Sequence, residues 1–406
     1  MVGARVLVLD AQGQNALAVI RTLGRKGLSV TAGGNKRYLP GMLSKYADSS
    51  YVHPDPAADQ SAFVEDLTQH LEENNYAAVF CVTDLMTAIL SKHKEQLEAT
   101  GTRIGVEDWE TYLLPNDKGR LFELVEDIDV PAPETTAPES LDEIATIDAD
   151  RSHTVVIKPR RTTYIDADGK SHTNRIAGTN YIGPEEDLFE RYSEIIDSNV
   201  ALQEQLPLVQ EYIDGLETVC TVGLADGDGL VAVFQHEKYR VYPPSGGVGS
   251  VRKGIHEPKM REYADRIVNA LGWVGPVHVE FMRTPANEFY LLEVNGRYWG
   301  STALTVNSGV DIPWLHYQQL VDPEASIRRP DGYRTDVKQR KLFYQDILWL
   351  RENLSQGNYW AIAPFITSFA TTREETLDPS DPLPALGIIP RSIDVVRSMR
   401  SGGSVY

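Results

Sequence analysis

Cysteine is nearly missing from this chain of 406 residues: only Cys81 and Cys220 occur, each inside an apolar run, FCV and VCTV. Such thiols read as small buried hydrophobes, which argues against a disulfide framework and against metal binding through sulfur. Also missing is any run of about 18 uninterrupted apolar residues, so no transmembrane segment is expected. The opening MVGARVLVLD lacks the long apolar stretch of a secretory leader, and a cytoplasmic location is the expectation. Basic residues are outnumbered, 39 against 58 acidic, for a formal net charge of -19. A field of that sign repels phosphate backbones and anionic membrane faces, which argues against nucleic acid as a partner. The acidic coat also predicts an origin in a salt-rich cytoplasm, an idea that fails if folding and activity prove best at low salt. No internal repeat or low-complexity segment interrupts the chain.

What is present is globular. The apolar fraction is 42% and the charged fraction 24%, close to the averages for folded domains, and the length implies two or three domains. The first segment alternates strand and helix: ARVLVLD, a helix from about Asn15 to Lys26, LSVTAGG, a helix near Ala62–Asn74, then AAVFCVTD. Alternation of this kind predicts a parallel sheet with right-handed crossovers. The turn AQGQNA after the first strand is not G-x-G-x-x-G, so a nicotinamide-dependent oxidoreductase is disfavoured. Proline-dense DVPAPETTAPES predicts an extended connection, because proline removes an N–H and pushes its predecessor out of the helical region. Beyond it TVVIKPR, PLVQEYIDG, TVCTVGLA and LVAVFQHEKYR read as antiparallel strands, the last two joined by the turn DGDG. The domains expected are 1–110, α/β; 111–326, two-lobed with a hinge near 210–215; and a C-terminal extension, 327–406. That extension opens on the basic run RRPDGYRTDVKQRK and continues into aromatic-rich segments. It reads as a small covering subdomain, with a docking surface for an anionic partner as the alternative.

The segment VHVEFMRTPANEFYLLEVNGR reads as two strands joined by a turn at Pro285–Glu288. With Thr284 facing Phe289, Met282 stands opposite Leu291, Glu280 opposite Glu293 and His278 opposite Asn295, all on one face. Carboxylates opposed across a strand pair repel. A hard divalent cation removes that cost, and Mg²⁺ takes carboxylate and amide oxygens while bridging to phosphates. Glu280, Glu293 and Asn295 are therefore the candidate metal ligands, unless the glutamates simply splay into solvent. Two lysines suit the phosphates. Lys158 closes the strand TVVIKP, which the next proline stops, and Lys118 opens a helix that Asn116 or Asp117 can cap.

The order Lys118, Lys158, QEYIDGLE, Glu280 and then Glu293-Val294-Asn295-Gly296-Arg297 resembles the ATP-grasp superfamily, in its carboxylate ligase and carbamoyl phosphate synthetase-like branch. The resemblance spans about residues 1–320. It implies an N-terminal α/β domain followed by a two-lobed fold with antiparallel sheets, binding ATP with Mg²⁺ or Mn²⁺. It further implies phosphate contacts from Lys118 and Lys158, adenine held by Gln210, Glu211, Tyr212 and Ile213, a ribose-binding acid at Glu217, and Arg297 facing the reacting phosphoryl group. Two departures stand out. The short glycine-rich phosphate loop is replaced by the longer RRTTYIDADGKSHTNRIAG, and Asn-Gly-Arg replaces the commoner Asn-Pro-Arg.

Glycine-rich YPPSGGVGSVRKG permits close approach of backbone N–H groups to an anion, making Gly246, Gly247, Ser250 and Arg252 candidates for holding the acyl substrate or its phosphate. A plain flexible loop is the competing reading, and Arg252→Ala without effect on activity would decide for it. His278 is a candidate for phosphate contact or proton transfer, with a hydrogen-bonded structural histidine as the alternative. The chemistry expected is a ligase reaction between a small carboxylic acid and an amine. A phosphotransferase and a catalytically idle ATP-binding protein are the rivals, and a homodimer is the assembly to test.

Overall fold

The computed structural model describes residues 3–166, 170–173, 180–197, 200–242, 247–323, 327 and 329–388. Five short strands, β1 (Arg5–Val8), β2 (Ser29–Gly34), β3 (Ser49–Val52), β4 (Ala78–Phe80) and β5 (Arg103–Ile104), form a parallel sheet in the order β3-β2-β1-β4-β5. Val6, Leu7 and Val8 are fully buried, as expected for an inner strand covered by helices on both faces. The order reverses between β1 and β4, so the loops after these two strands diverge at the carboxyl edge of the sheet. Cys81 and Cys220 are free and buried.

Antiparallel sheets make up the rest. Strands β6 (Thr135–Thr136), β7 (Val155–Lys158), β10 (Tyr181–Ile182) and β11 (Leu208–Glu211) pair in the order β10-β7-β11-β6, while β8 (Thr163–Ile165) and β9 (Ser171–Thr173) form a separate hairpin. The large sheet has seven strands, β12 (Glu217–Asp226), β13 (Leu230–Tyr242), β14 (Val248–Ile255), β15 (Val274–Arg283), β16 (Phe289–Asn295), β17 (Lys338–Arg340) and β18 (Arg373–Glu374), in the order β16-β15-β12-β13-β14-β17-β18. No helix among the described residues is long and apolar enough to cross a membrane.

Two expectations need correction. Near the tip of the β15–β16 hairpin, Met282 pairs with Tyr290 and Arg283 with Phe289, so Met282 does not face Leu291 and Thr284 lies in the turn. There Asn287 adopts φ +59° and donates to the Thr284 carbonyl. A bulge at Leu292 then restores Glu280 opposite Glu293 and His278 opposite Asn295. Beside the bulge the Leu291 N–H donates to the Pro131 carbonyl at 2.8 Å, a bond that lies outside the hairpin's own ladder. Second, the alternative of a docking surface on the basic run loses its last four residues, KQRK, which form an inner strand and its end with Gln339, Arg340 and Lys341 buried, while Asp331, Gly332, Arg334, Thr335 and Asp336 are exposed. Arg340 is 2% exposed and pairs with Asp346 at 2.8 Å, with Phe365 and Phe369 stacked on its guanidinium. Asp346 also receives Arg240 at 2.7 Å, which ties the C-terminal region to β13.

Candidate functional site

The expected metal ligands converge. Glu280 and Glu293 stand opposite one another on β15 and β16, and ligand atoms of His278, Glu280 and Glu293 all lie within 4.8 Å of one another. Asn295 Nδ2 donates to Glu293 Oε1 at 2.9 Å and to His278 Nδ1 at 3.1 Å, so presenting its oxygen to a cation requires the amide to turn over. Burial alone would raise the Glu293 carboxyl. The Lys118 ammonium and the Asn295 hydrogen bond more than offset this and hold it at about 2. An ionised carboxylate facing a second one suits a hard divalent cation.

Cationic groups surround this pair. Lys118 begins the helix Lys118–Glu126, which Asp117 caps by accepting from the Gly119 N–H at 3.0 Å. Its ammonium lies 3.9 Å from Glu293 and 3.4 Å from the Thr162 hydroxyl. Lys158 ends β7; burial first, then the Lys118 charge, lowers its ammonium to about 8. Lys238, which the sequence reading missed, sits on β13 with its ammonium 2.9 Å from Glu280. Burial works against that cation, and Glu280 raises it again. Only the assembled sheet reveals it: β12 lies between β13 and β15, Cys220 pairs with both His236 and Glu280, and Lys238, two residues beyond His236, reaches across β12 to Glu280. His278 is half-buried beside the carboxylates, and desolvation lowers its imidazole to about 4, so it is neutral at pH 7.

Arg297 does not point freely into the groove. Its guanidinium makes a two-pronged ion pair with Asp84, one prong at 2.9 Å, and donates to the Tyr298 carbonyl at 2.9 Å. Asp84 opens the helix Asp84–Lys92 just beyond β4, so the carboxyl edge of the parallel sheet grips the end of the strand that carries the candidate metal ligands Glu293 and Asn295. Burial opposes the Arg297 charge, and Asp84 more than offsets this. The crevice lined by Asp84, Lys118, Asn295 and Arg297 encloses about 20 Å³. Ligand pockets usually hold roughly 300–1,000 Å³, so this crevice alone does not hold a nucleotide.

The remaining candidates are spread along the sheets. Gln210 is 1% exposed, donates to the Thr135 hydroxyl at 2.7 Å and keeps a side-chain oxygen with no hydrogen-bond donor among the described residues. The N–H groups of Glu211 and Tyr212 donate to the carbonyls of Glu134 and Thr154, so these two N–H groups are already engaged; Tyr212 is exposed and Ile213 half-buried. Glu217 pairs with Arg283, which also reaches Glu237 at 3.3 Å and Glu257 at 3.6 Å. Arg252 is buried and donates to the Gly300 carbonyl at 3.4 Å. Gly247 is exposed, and its carbonyl accepts from Lys238 at 3.5 Å. Ser250 is not brought to this cluster; its hydroxyl donates to Asp346 at 3.1 Å. Gly246 and part of the 160–178 loop lie outside the described residues.

Residues 203–341 match a family model described as ATP-grasp in the biosynthetic pathway with Ter operon. A search of curated proteins by sequence returned no match. Among solved structures, the chain is similar to a biotin carboxylase from Campylobacter jejuni, at 15% identity and a TM-score of 0.64, with 82% of this chain and 74% of that one covered. It is also similar to N5-carboxyaminoimidazole synthetase from Staphylococcus aureus, at 13% identity and a TM-score of 0.61, with 89% and 87% covered. A third is an L-amino acid ligase from Bacillus licheniformis, at 16% identity and a TM-score of 0.58, with 83% and 79% covered. At these identities the likeness establishes the fold.

Proposed function

We propose that this chain, a member of the ATP-grasp superfamily, is an ATP-dependent ligase that activates a small carboxylic acid as an acyl phosphate for attack by an amine. The observation that carries the reading is the pair Glu280 and Glu293, opposed on one face and flanked by Lys118, Lys158 and Lys238. Opposed carboxylates within a ring of ammonium groups suit a phosphate-bound divalent cation. The structurally similar proteins, a carboxylase, a synthetase and an amino acid ligase, agree with carboxylate chemistry.

In this reading Glu280, Glu293 and the turned amide of Asn295 hold Mg²⁺ or Mn²⁺, which supplies charge neutralisation on the phosphates. Lys118 and Lys158 take phosphate oxygens, residues 210–213 line the adenine, and Glu217 meets the ribose. A carboxylate oxygen of the acid attacks the γ-phosphorus and ADP leaves. The amine then attacks the acyl carbon, phosphate leaves, and the amine gives up a proton. Catalysis is positioning and electrostatics, with Arg297 held in place by Asp84 and no covalent nucleophile required. Arg252 is assigned to the acyl side, and His278 acts as a neutral hydrogen-bonding group. The division at about 110 and 326, with a hinge near 210–215, belongs to the same proposal, as do a cytoplasmic location and a salt requirement.

The test is ADP release by the purified chain with MgATP, in low and high potassium chloride, against pooled carboxylic acids with and without pooled amines. Release that needs both pools supports the ligase. Release with a hydroxyl compound alone makes it a phosphotransferase, and nucleotide binding without release under any pool leaves an idle ATP-binding protein. One pH effect follows from Lys158. Its ammonium is charged below about 8 and neutral above, so kcat/KM for ATP should fall along an alkaline limb near that value. Lys158→Arg should carry the limb to higher pH, and a limb that stays put would remove Lys158 from phosphate binding.

A further inference from the structure

A second group of metal-binding side chains shares the sheet face of the carboxylate pair. Cys220 on β12 stands opposite His236 on β13 and opposite Glu280 on β15, while His278 stands opposite Val222, the next position of that face. One ligand atom each from Cys220, His236 and His278 lies within 4.8 Å of the other two. Glu280 Oε2 is 3.9 Å from the Cys220 sulfur and 3.8 Å from His278 Nε2. Tetrahedral Zn²⁺, with bonds of about 2.3 Å to sulfur and about 2.0–2.1 Å to nitrogen, holds such atoms roughly 3.3–3.6 Å apart. Small side-chain rotations therefore close the set.

His236 marks the place. It is 2% exposed, its Nε2 meets the Ser301 hydroxyl at 2.8 Å, and its Nδ1 is buried with no hydrogen-bond partner among the described residues. A buried ring nitrogen left without a partner is uncommon in native proteins. With its hydrogen on Nε2 and donated to Ser301, the ring offers a lone pair on Nδ1, the arrangement by which an outer partner orients a metal-bound histidine. Asn295 lies against Nδ1 of His278 at 3.1 Å, which leaves Nε2 for a cation. That tautomer donates to the Asn295 oxygen once the amide turns over, the same turn the carboxylate site calls for. Burial holds Cys220 as a thiol, well above its ordinary range, until a cation displaces the proton. The charges of Arg252 and Lys238 reach His236 and oppose a cation, and the thiolate and Glu280 offset them. His278 and Glu280 keep 12% and 14% of their side chains exposed, which opens a path from solvent. Cys81 belongs to no such group among the described residues.

We propose that Cys220, His236 and His278 form a binding site for a borderline-soft divalent cation, Zn²⁺, with Glu280 within reach as a fourth ligand. One sulfur and two imidazole nitrogens select such a cation over Mg²⁺, which takes oxygen. Binding exchanges the Cys220 proton for the metal and releases it to solvent, and the two imidazoles enter neutral. The site is set apart from the carboxylate pair by its chemistry and does not depend on the ligase reading.

Titration of the full chain with Co²⁺, without nucleotide and in a large excess of Mg²⁺ with a phosphine reductant, tests it directly. Cys81 and Cys220 are the chain's two cysteines, so a thiolate-to-Co²⁺ charge-transfer band in the near ultraviolet reports on one or the other. The band should saturate at one equivalent of Co²⁺ and vanish when Zn²⁺ is added. Cys81→Ala should keep it and Cys220→Ala should abolish it, while His236→Gln should weaken Co²⁺ binding roughly tenfold or more. If Cys220→Ala fails to fold, the unmodified chain and Cys81→Ala still decide. No band in the unmodified chain overturns the proposal, as does a band that Cys81→Ala loses. Undiminished Co²⁺ binding in His236→Gln overturns it too, and so does Co²⁺ binding without any thiolate band, which would place the cation on the oxygens of Glu280 and Glu293.

Discussion

Glu293→Gln should lower substrate-dependent ADP release by roughly 10²–10³-fold or more, the size seen when one preorganised electrostatic contact to a reacting phosphoryl group is removed. The substitution keeps the volume and removes one charge. Glu293 is the carboxylate held at about 2, facing Glu280, within 3.9 Å of Lys118 and bonded to Asn295. Its loss would leave the proposed cation site one carboxylate oxygen donor in place of two. The fold should survive, because relief of the Glu280–Glu293 repulsion partly offsets the weakened Lys118 pair. A binding readout separates the two effects: titration with Mn²⁺ and ADP, followed by the Mn²⁺ spin signal, should show a weakened metal site in a protein whose Tm has barely moved. Full activity in Glu293→Gln would remove the metal assignment, and lost activity with intact Mn²⁺ binding would move Glu293 to another role.

The parallel sheet and the hairpin carrying the proposed metal ligands were legible because both follow short-range rules. Apolar runs bounded by turn residues marked β1, β2 and β4, and period-two alternation put Glu280, Glu293, His278 and Asn295 on one face. The register survived for a reason the sequence does not display: the shift at the turn and the bulge at Leu292 cancel before Glu280 is reached. Lys118 and Lys158 could be placed at element ends because an N-cap aspartate and a proline announce such ends. Contacts across the chain were not visible. Lys238 and Glu280 are 42 residues apart, Asp84 and Arg297 are 213 apart, and no local pattern links either pair. Ser250 was misjudged because a glycine-rich neighbourhood suggests a ligand loop, while its hydroxyl instead satisfies Asp346 of a C-terminal segment whose packing the sequence leaves open.

Asp84→Ala should hurt both stability and turnover through one side chain, Arg297. The pair joins the helix after β4 to the turn following β16, and the arginine also donates to the Tyr298 carbonyl. Truncating Asp84 leaves a guanidinium largely enclosed without its carboxylate. About a fifth to a quarter of each side chain stays in contact with solvent, at 21% and 28%, so water recovers part of the loss. The expected cost is about 1–3 kcal/mol, below the figure for a fully buried pair. Released from Asp84, Arg297 samples several rotamers, and turnover should fall roughly 10–100-fold, as a displaced electrostatic group does when preorganisation is lost. A double-mutant cycle isolates the pair. In the Arg297→Met background, Asp84→Ala should cost little further stability and almost no further activity, because the charge it neutralises is gone. If Asp84→Ala is as damaging with Met at position 297 as with arginine, the aspartate serves its helix alone and the link between the parallel sheet and the metal-bearing strand carries no function.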